Sequence, residues 1–392
     1  MGLFIDISYK SYHHYGEELC GDKVEIVKTG NSKILILADG MLSGVRANIF
    51  STMTSKILGT LLKNGISIDE AVETVTKTLP SSSINGEAYS TFSIIQIFED
   101  GRCYIVEYDN PECVCIREHD LFKLPFKERT VHGKNIRECE FYARPGDTFV
   151  CMSDGCIYCS GDNTMNLKWN RDSVAEYALK CELKTKSASR LAAMIDDMCY
   201  DLYLGVPKDD TTVGVVRIND EKRVNILTGP PLNPEDDERM VNDFVSADGM
   251  KIISGGTSSQ IAARVLGFKL ETDYDTIADG MPPMAKKTCK DIDIITEGVI
   301  TLHNVIILLE RYLEGEIDLD FYDELDKNIG SSQIATALID ESTKVVFFVG
   351  KAAGVGEGGI KISYELSSRN SIIKKLEELL SAMDRDVEVK YY

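Results

Sequence analysis

Apolar positions in the first half of the chain switch between the two-residue period of strands and the 3.6-residue period of helices. Residues 23–27 and 33–38 are apolar runs separated by Thr29-Gly30-Asn31-Ser32, a turn sequence, which predicts a hairpin. The second run is apolar almost throughout and predicts a buried central strand. Residues 45–62 carry helical spacing that ends near Lys63-Asn64-Gly65, and a second helix is expected over 68–78, with Ser67 or Asp69 near its start. Residues 90–98 and 102–108 flank Glu99-Asp100-Gly101 and read as another hairpin. Further strands are expected near 113–118, 123–131, 147–152 and 211–218, with helices over 171–181 and 187–203. Antiparallel hairpins with helices grouped between them predict an α+β layered domain over 1–220.

The second half has another rhythm. Residues 221–240 include Gly229-Pro230-Pro231 and the charged run Glu235-Asp236-Asp237-Glu238-Arg239, and read as a linker, with 223–227 open to being a short strand of either domain. Over 241–392 short strands lead into helices, which predicts a second α/β domain with a regulatory or ligand-binding role. Strands are expected at 251–254 and 291–296, each followed by a turn with glycine and a helix. Residues 332–340 and 344–349 read as a hairpin, 350–359 as a glycine-rich loop, 371–383 as a helix capped by Asn370, and 387–389 as a last strand.

Composition narrows the partners. Lys plus Arg total 43 against 63 Asp plus Glu, a formal net charge of −20, which argues against nucleic acid and anionic membrane. No run reaches the roughly 18–20 apolar residues that span a bilayer, and the start lacks a secretion pattern, so a cytoplasmic protein is expected. Eleven cysteines without an export signal read as reduced thiols.

The candidate chemistry lies in acidic residues at strand ends. Asp22 opens one predicted strand, Asp39-Gly40 closes the next, Ser153-Asp154-Gly155 closes a later one, and Asp209-Asp210-Thr211 precedes the last strand of the first domain. A carboxylate on a rigid strand end can point its oxygens into a cleft. Several together repel one another unless a cation sits between them. An all-oxygen set suits Mg²⁺ or Mn²⁺. Any one Asp-Gly pair alone reads as a turn; it is the ordered set that carries the signal.

The set Gly21-Asp22, Asp39-Gly40-Met41 with Ser43-Gly44, Ser153-Asp154-Gly155 and Asp209-Asp210-Thr211-Thr212 resembles the metal-dependent protein phosphatases of the 2C type, in their bacterial SpoIIE-like branch, over about residues 1–220. The resemblance implies an antiparallel β-sandwich flanked by helices and two ions, Mn²⁺ or Mg²⁺. It implies that Asp22, Asp154 and Asp209 hold the first ion, that Asp39 bridges both, and that the Gly40 carbonyl holds the second. Asp210 would stand behind these ligands, supported by Thr211. It implies a phosphoserine or phosphothreonine substrate on a signalling protein such as an anti-sigma-factor antagonist. It also implies that the helices after Asp39 can reposition that residue and switch activity. One departure is that residues 1–21 lack the Arg that eukaryotic members place before the first Asp, leaving Lys10, His13 and His14. The bacterial branch often lacks it too.

Two other readings stay open. The fold could serve as an inactive scaffold for a ligand-binding regulator, or the site could hydrolyse a small phosphoester. In the second domain, Gly255, Gly256, Thr257 and Ser258 sit between a strand and a helix, where backbone N–H groups favour anions. They mark a candidate site for a small ligand or protein partner, with ordinary helix capping as the plainer reading.

Overall fold

The computed structural model describes residues 3–41, 43–78, 90–160, 169–277, 282–352 and 363–392, the side chains of 363–368 excepted. They form two compact units, Met1–Asp220 and Glu221–Tyr392.

In chain order the first unit contains β1 (Leu3–Tyr12), β2 (Asp22–Lys28), β3 (Ser32–Gly40), α1 (Gly44–Lys63), α2 (Ile68–Thr78), β4 (Ser90–Phe98) and β5 (Arg102–Tyr108). Then come β6 (Val114–Arg117), β7 (Asp120–Phe122), β8 (Lys127–Val131), β9 (Lys134–Tyr142), β10 (Thr148–Met152), α3 (Gly155–Tyr158), α4 (Arg171–Glu182), α5 (Ala188–Leu202) and β11 (Thr211–Asp220). Two antiparallel sheets result, with orders β2-β3-β4-β5-β9-β8 and β1-β11-β10-β6-β7.

The period of β3 explains the layering. Leu35 and Leu37 share a core with Phe149, Cys151, Val216 and Ile218 of the other sheet, so the two sheets pack face to face. Ile34 and Ile36 point the other way, into a core with Leu58 of α1 and Val72 and Val75 of α2. All four β3 residues are fully buried, which is why the run reads as apolar throughout. Each such side chain contributes about 1.5–3 kcal/mol on burial. The outer face of the second sheet buries Val150, Met152 and Val213 under α4 and α5. This is the expected α+β sandwich flanked by helices. β1, β7 and β9 are strands beyond those expected; β1 pairs with β11 along its whole length.

The second unit runs β12 (Arg223–Thr228), α6 (Asp237–Ser246), β13 (Met250–Ser254), α7 (Gly256–Leu266), β14 (Thr272–Asp273), β15 (Met284–Ala285) and β16 (Ile294–Thr296). It continues with α8 (Val299–Glu314), α9 (Leu319–Leu325), α10 (Gly330–Asp340), β17 (Lys344–Val349), α11 (Ser363–Ala382) and β18 (Asp386–Tyr391). Five strands make a wholly parallel sheet, β16-β13-β12-β17-β18. One face of this α/β domain buries Leu227, Ile253 and Phe348 against Met240, Val241 and Phe244 of α6 and Ala262 of α7.

Three expectations change here. Residues 221–240 are no linker: β12 lies at the centre of the second sheet, and the prolines and charges follow it in the connection to α6 and in that helix. Residues 332–340 belong to α10, since a short apolar run reads equally as a strand or a buried helix. Helix α11 starts at Ser363, so Asn370 lies inside it and caps nothing. Of the glycine-rich stretch 350–359, residues 353–359 lie outside the described residues. Among the described residues, no helix is long and apolar enough to cross a membrane.

Candidate metal centre

Hairpin register brings the first two carboxylates together. Asp22 and Asp39 are direct partners across β2 and β3. Directly opposed residues of an antiparallel pair have Cβ atoms about 4.5–5.5 Å apart, so two like charges here repel. The Gly40 N–H donates to the Gly21 carbonyl at 3.2 Å, which closes this end of the hairpin.

The other two carboxylates arrive from the second sheet. The Ser153 N–H donates to the Thr212 carbonyl at 3.0 Å, and the Thr212 N–H donates to Ser153 Oγ at 2.9 Å. These bonds lock the end of β10 to the start of β11, so Asp154 and Asp209 flank one strand junction. Asp154 is near enough to Asp39 for its charge to push that carboxyl up.

Glycines let these ends approach. A side chain at Gly155 would sit 2.2 Å from the Asp210 carbonyl oxygen. One at Gly40 would sit 2.1 Å from the Ala47 carbonyl oxygen of α1. One at Gly21 would sit 2.4 Å from Asp210 Oδ2. Each clash involves a residue at or beside a carboxylate, so backbone approach, rather than turn conformation, is what requires glycine here.

Asp22 is 4% exposed, and neither of its carboxylate oxygens has a hydrogen-bond partner. Burial pushes it up to about 7; the hydroxyls of Ser153 and Thr212 pull the other way but neither completes a hydrogen bond to it. Burial, and then the charges of Asp22, Asp154, Asp209 and Asp210, push Asp39 up to about 9. Burial and then Asp154 push Asp209 up to about 6, and burial raises Asp154. Among the described residues none of these four has an ion pair with Lys or Arg. A buried carboxylate with neither donor nor counter-charge is costly, and a cluster of acidic oxygens matches the donors that hard divalent cations take. The residues present therefore fit such ions. Among the described residues, no group of three or more acidic, histidine or cysteine side chains is already converged as it would be around an ion.

Asp210 is differently held. Its Oδ1 accepts from the His14 backbone N–H at 3.1 Å, and its own N–H donates to Asp209 Oδ1 at 2.9 Å. Thr211 Oγ1 donates to the Asp209 carbonyl at 3.2 Å, bracing the turn rather than Asp210 itself. His14 is a contributor whose part is played by a backbone N–H, which no residue type announces. Asn48 is another: its Nδ2 donates to the Cys20 carbonyl at 2.8 Å and ties α1 to the loop before Asp22. Arg46 lies exposed on α1. Cys156 and Cys159 are buried and donate to the Thr212 and Cys156 carbonyls. Gly255, Gly256, Thr257 and Ser258 belong to the other unit, at the turn from β13 into α7.

Residues 29–219 match the family described as Stage II sporulation protein E. A curated relative, stage II sporulation protein E of Bacillus subtilis (strain 168), is 28% identical over 210 residues, 52% of this chain and 24% of the relative. The chain thus spans about a quarter of that relative's length. A solved structure of the 2C-type phosphatase domain with a fragment of the regulatory domain of SpoIIE from Bacillus subtilis is 24% identical, covering 56% of this chain and 64% of that one, with a TM-score of 0.49. The catalytic domain of the serine/threonine phosphatase PstP, solved with 2 manganese ions, is 16% identical over 56% of this chain and 100% of that one, with a TM-score of 0.38.

Proposed function

We propose that the first unit, a SpoIIE-like domain of the 2C phosphatase type, hydrolyses phosphoserine and phosphothreonine esters on a signalling protein with the help of two divalent ions, Mn²⁺ or Mg²⁺. The observation that carries this is Asp22, buried with both oxygens unpartnered and in register with Asp39. Asp22, Asp154 and Asp209 would hold the first ion, Asp39 would face both, and the Gly40 carbonyl would serve the second. When bound, such ions supply a water acidic enough to be hydroxide near neutral pH and neutralise charge on phosphoryl oxygens.

The chain's own part is positional. The β2–β3 register and the β10–β11 lock hold the backbones that carry the four carboxylates, so that only their side chains would have to converge on the ions. His14 N–H and the Gly21 backbone fix Asp210 behind them. Helix α1 bears directly on the site, because the Ala47 carbonyl packs on Gly40 next to Asp39. Its buried face is mostly small or hydroxylated, including Ala47, Ser51, Thr54 and Ser55. A shift of α1 along that face would move Gly40 and Asp39 together, which is the switch we assign to it.

A cytoplasmic, phosphorylated anti-sigma-factor antagonist is the substrate class we favour, with the second unit as a regulatory module. The test is hydrolysis of a phosphoserine peptide, a nucleotide and a sugar phosphate with Mn²⁺, with Mg²⁺ and with chelator. Metal-dependent turnover of the peptide supports the proposal. Turnover of the small esters alone would replace it with a small-molecule phosphatase.

A further inference from the structure

The second unit contains a crevice of different character. From β12 the chain moves outward to β13 and β16, then returns to add β17 and β18 on the other side. Where strand order reverses this way, loops diverge and a crevice opens at the carboxyl ends of the strands. A cavity of about 720 Å³ lies there, lined by Thr228 at the end of β12, Ser258 in the first turn of α7, Glu297 and Val299 at the start of α8, and Arg369 of α11. That volume suits a small organic ligand.

The local sequence sets two helix N-termini side by side. Gly255 has φ +137°, open in practice only to glycine. A side chain at Gly298 would come 3.4 Å from Gly255 Cα, so the two turns nearly touch. The Gly255 N–H donates to the Thr296 carbonyl at 2.9 Å, and Ser254 Oγ donates to the Glu297 carbonyl at 3.1 Å. Neither α7, of 11 residues, nor α8, of 16, has a side-chain cap. Their first N–H groups and positive dipole ends are therefore left to whatever enters the crevice.

Two side chains point the same way. Ser258 is 2% exposed, and its Oγ has no hydrogen-bond partner. A buried hydroxyl in that state beside a cavity is a donor kept for a ligand. Arg369 is 8% exposed and its Nη1 donates to the Gly350 and Ala352 carbonyls at 3.2 and 2.9 Å. It packs against Gly229, whose φ is +76° and where a side chain would strike the guanidinium, so a positive charge is fixed in the wall. Glu297 lines the same crevice with its carboxylate beside Gly256, 3.5 and 3.9 Å from where a side chain there would begin, so it borders the first turn of α7 and accepts from donors close to the anion. A ligand that satisfies the whole crevice carries an anion with hydroxyl or amino donors next to it.

We propose that this crevice binds a hydroxylated phosphate ester, a nucleoside or sugar phosphate. Its phosphate rests on the first turns of α7 and α8 and accepts from Ser258 Oγ, and its hydroxyls meet Glu297. Nothing in this depends on the first unit being a phosphatase.

The test is calorimetric titration of the full chain with inorganic phosphate, ribose 5-phosphate, AMP and adenosine, all with chelator so that the carboxylates of the first unit cannot recruit phosphate through a metal. One or both esters bind more tightly than inorganic phosphate, and adenosine does not bind. Ser258→Ala weakens the ester about ten-fold or more, the scale for one hydrogen bond to a charged group. Thr257→Asp puts a carboxylate in the first turn, where it favours the helix, and abolishes ester binding while leaving the thermal melt intact. Glu297→Gln narrows the gap between ester and inorganic phosphate. No ester binding at millimolar concentration, or binding unchanged in both Ser258→Ala and Thr257→Asp, overturns the proposal.

Discussion

Both units gather polar groups at strand ends and use glycine to bring backbones close, yet the groups they gather differ. In the first unit Gly21, Gly40 and Gly155 bring strand ends together and the side chains in the cleft are carboxylates. In the second, Gly255 and Gly298 bring helix starts together and the groups in the cleft are N–H donors, a hydroxyl and a guanidinium, with the Glu297 carboxylate among them. In the first unit β3 and β10 also lead into helices, α1 and α3, yet the charge gathered at those strand ends comes from side chains. A parallel sheet feeds each strand into a helix, and its N-terminus already favours an anion. Net acidity of the chain therefore says little about either site.

The contrast can be broken most sharply at Asp39. Asp39→Asn should lower peptide turnover by about 10²–10³-fold, the scale for losing one group that acts in the transition state. The same change should raise the melting temperature of the metal-free protein, because Asp39 sits among Asp22, Asp154, Asp209 and Asp210. Calorimetry beside kinetics separates the two effects; a parallel fall of both would mean Asp39 is structural.

Next in size is the glycine comparison. Gly155→Ala forces its methyl into the Asp210 carbonyl and should destabilise the first unit by about 1–3 kcal/mol. Gly255→Ala meets only Ser258 Oγ, at 3.3 Å, so its cost should come from φ strain, also about 1–3 kcal/mol, and should be accompanied by loss of ester binding. Urea unfolding of each variant with and without Mn²⁺ would show whether Gly155→Ala alone weakens the metal-dependent gain in stability.

pH probes the first cleft alone. Folded Asp22 and Asp39 keep protons up to about 7 and about 9, whereas an unfolded chain releases them near 3.8. The folded state binds more protons across that window, so metal-free stability should fall as pH rises through it. Saturating Mn²⁺ should flatten the dependence. A metal-free stability that rises across the window would contradict the burial argument.

The smallest effect expected is at Arg129, which links α2 to the sheet through Asp69 and Glu138 at 2.6 and 2.7 Å. Arg129 and its partners are partly exposed, so Arg129→Ala should cost about 0.2–1 kcal/mol. A change in turnover larger than this stability loss would support regulation through the helix pair.

Local chemistry was legible in the sequence and long-range pairing was not. Asp22, Asp39, Asp154 and Asp209 could be read because each adjoins an apolar run whose end is marked by glycine or polar residues. The burial of Ile34, Leu35, Ile36 and Leu37 followed from an unbroken apolar run, although the two faces serve different cores. The place of β12 between β13 and β17 could not be read, because nothing in residues 223–228 names a partner more than a hundred positions away. β1 escaped notice because its strand is mixed, with Asp6, Lys10 and the four hydroxyl-bearing residues Ser8, Tyr9, Ser11 and Tyr12, and its order comes from β11. The helix α10 was misread because Ile334, Leu338 and Ile339 lie in a run short enough to suit either period. His14 and Asn48 act on backbone groups and leave no pattern at all.

Asp22, buried and unpartnered at the β2–β3 end beside Asp39, is the residue on which the proposed binding of divalent cations rests. Titration of the full chain with Mn²⁺ at pH 7, repeated in buffers of different ionisation enthalpy, tests it directly. Two bound ions, with protons released on binding because Asp22 and Asp39 are displaced from their raised pKa values, and marked weakening in Asp22→Asn, is the result expected. Affinity unchanged in Asp22→Asn, or no binding by the folded wild type, would contradict it.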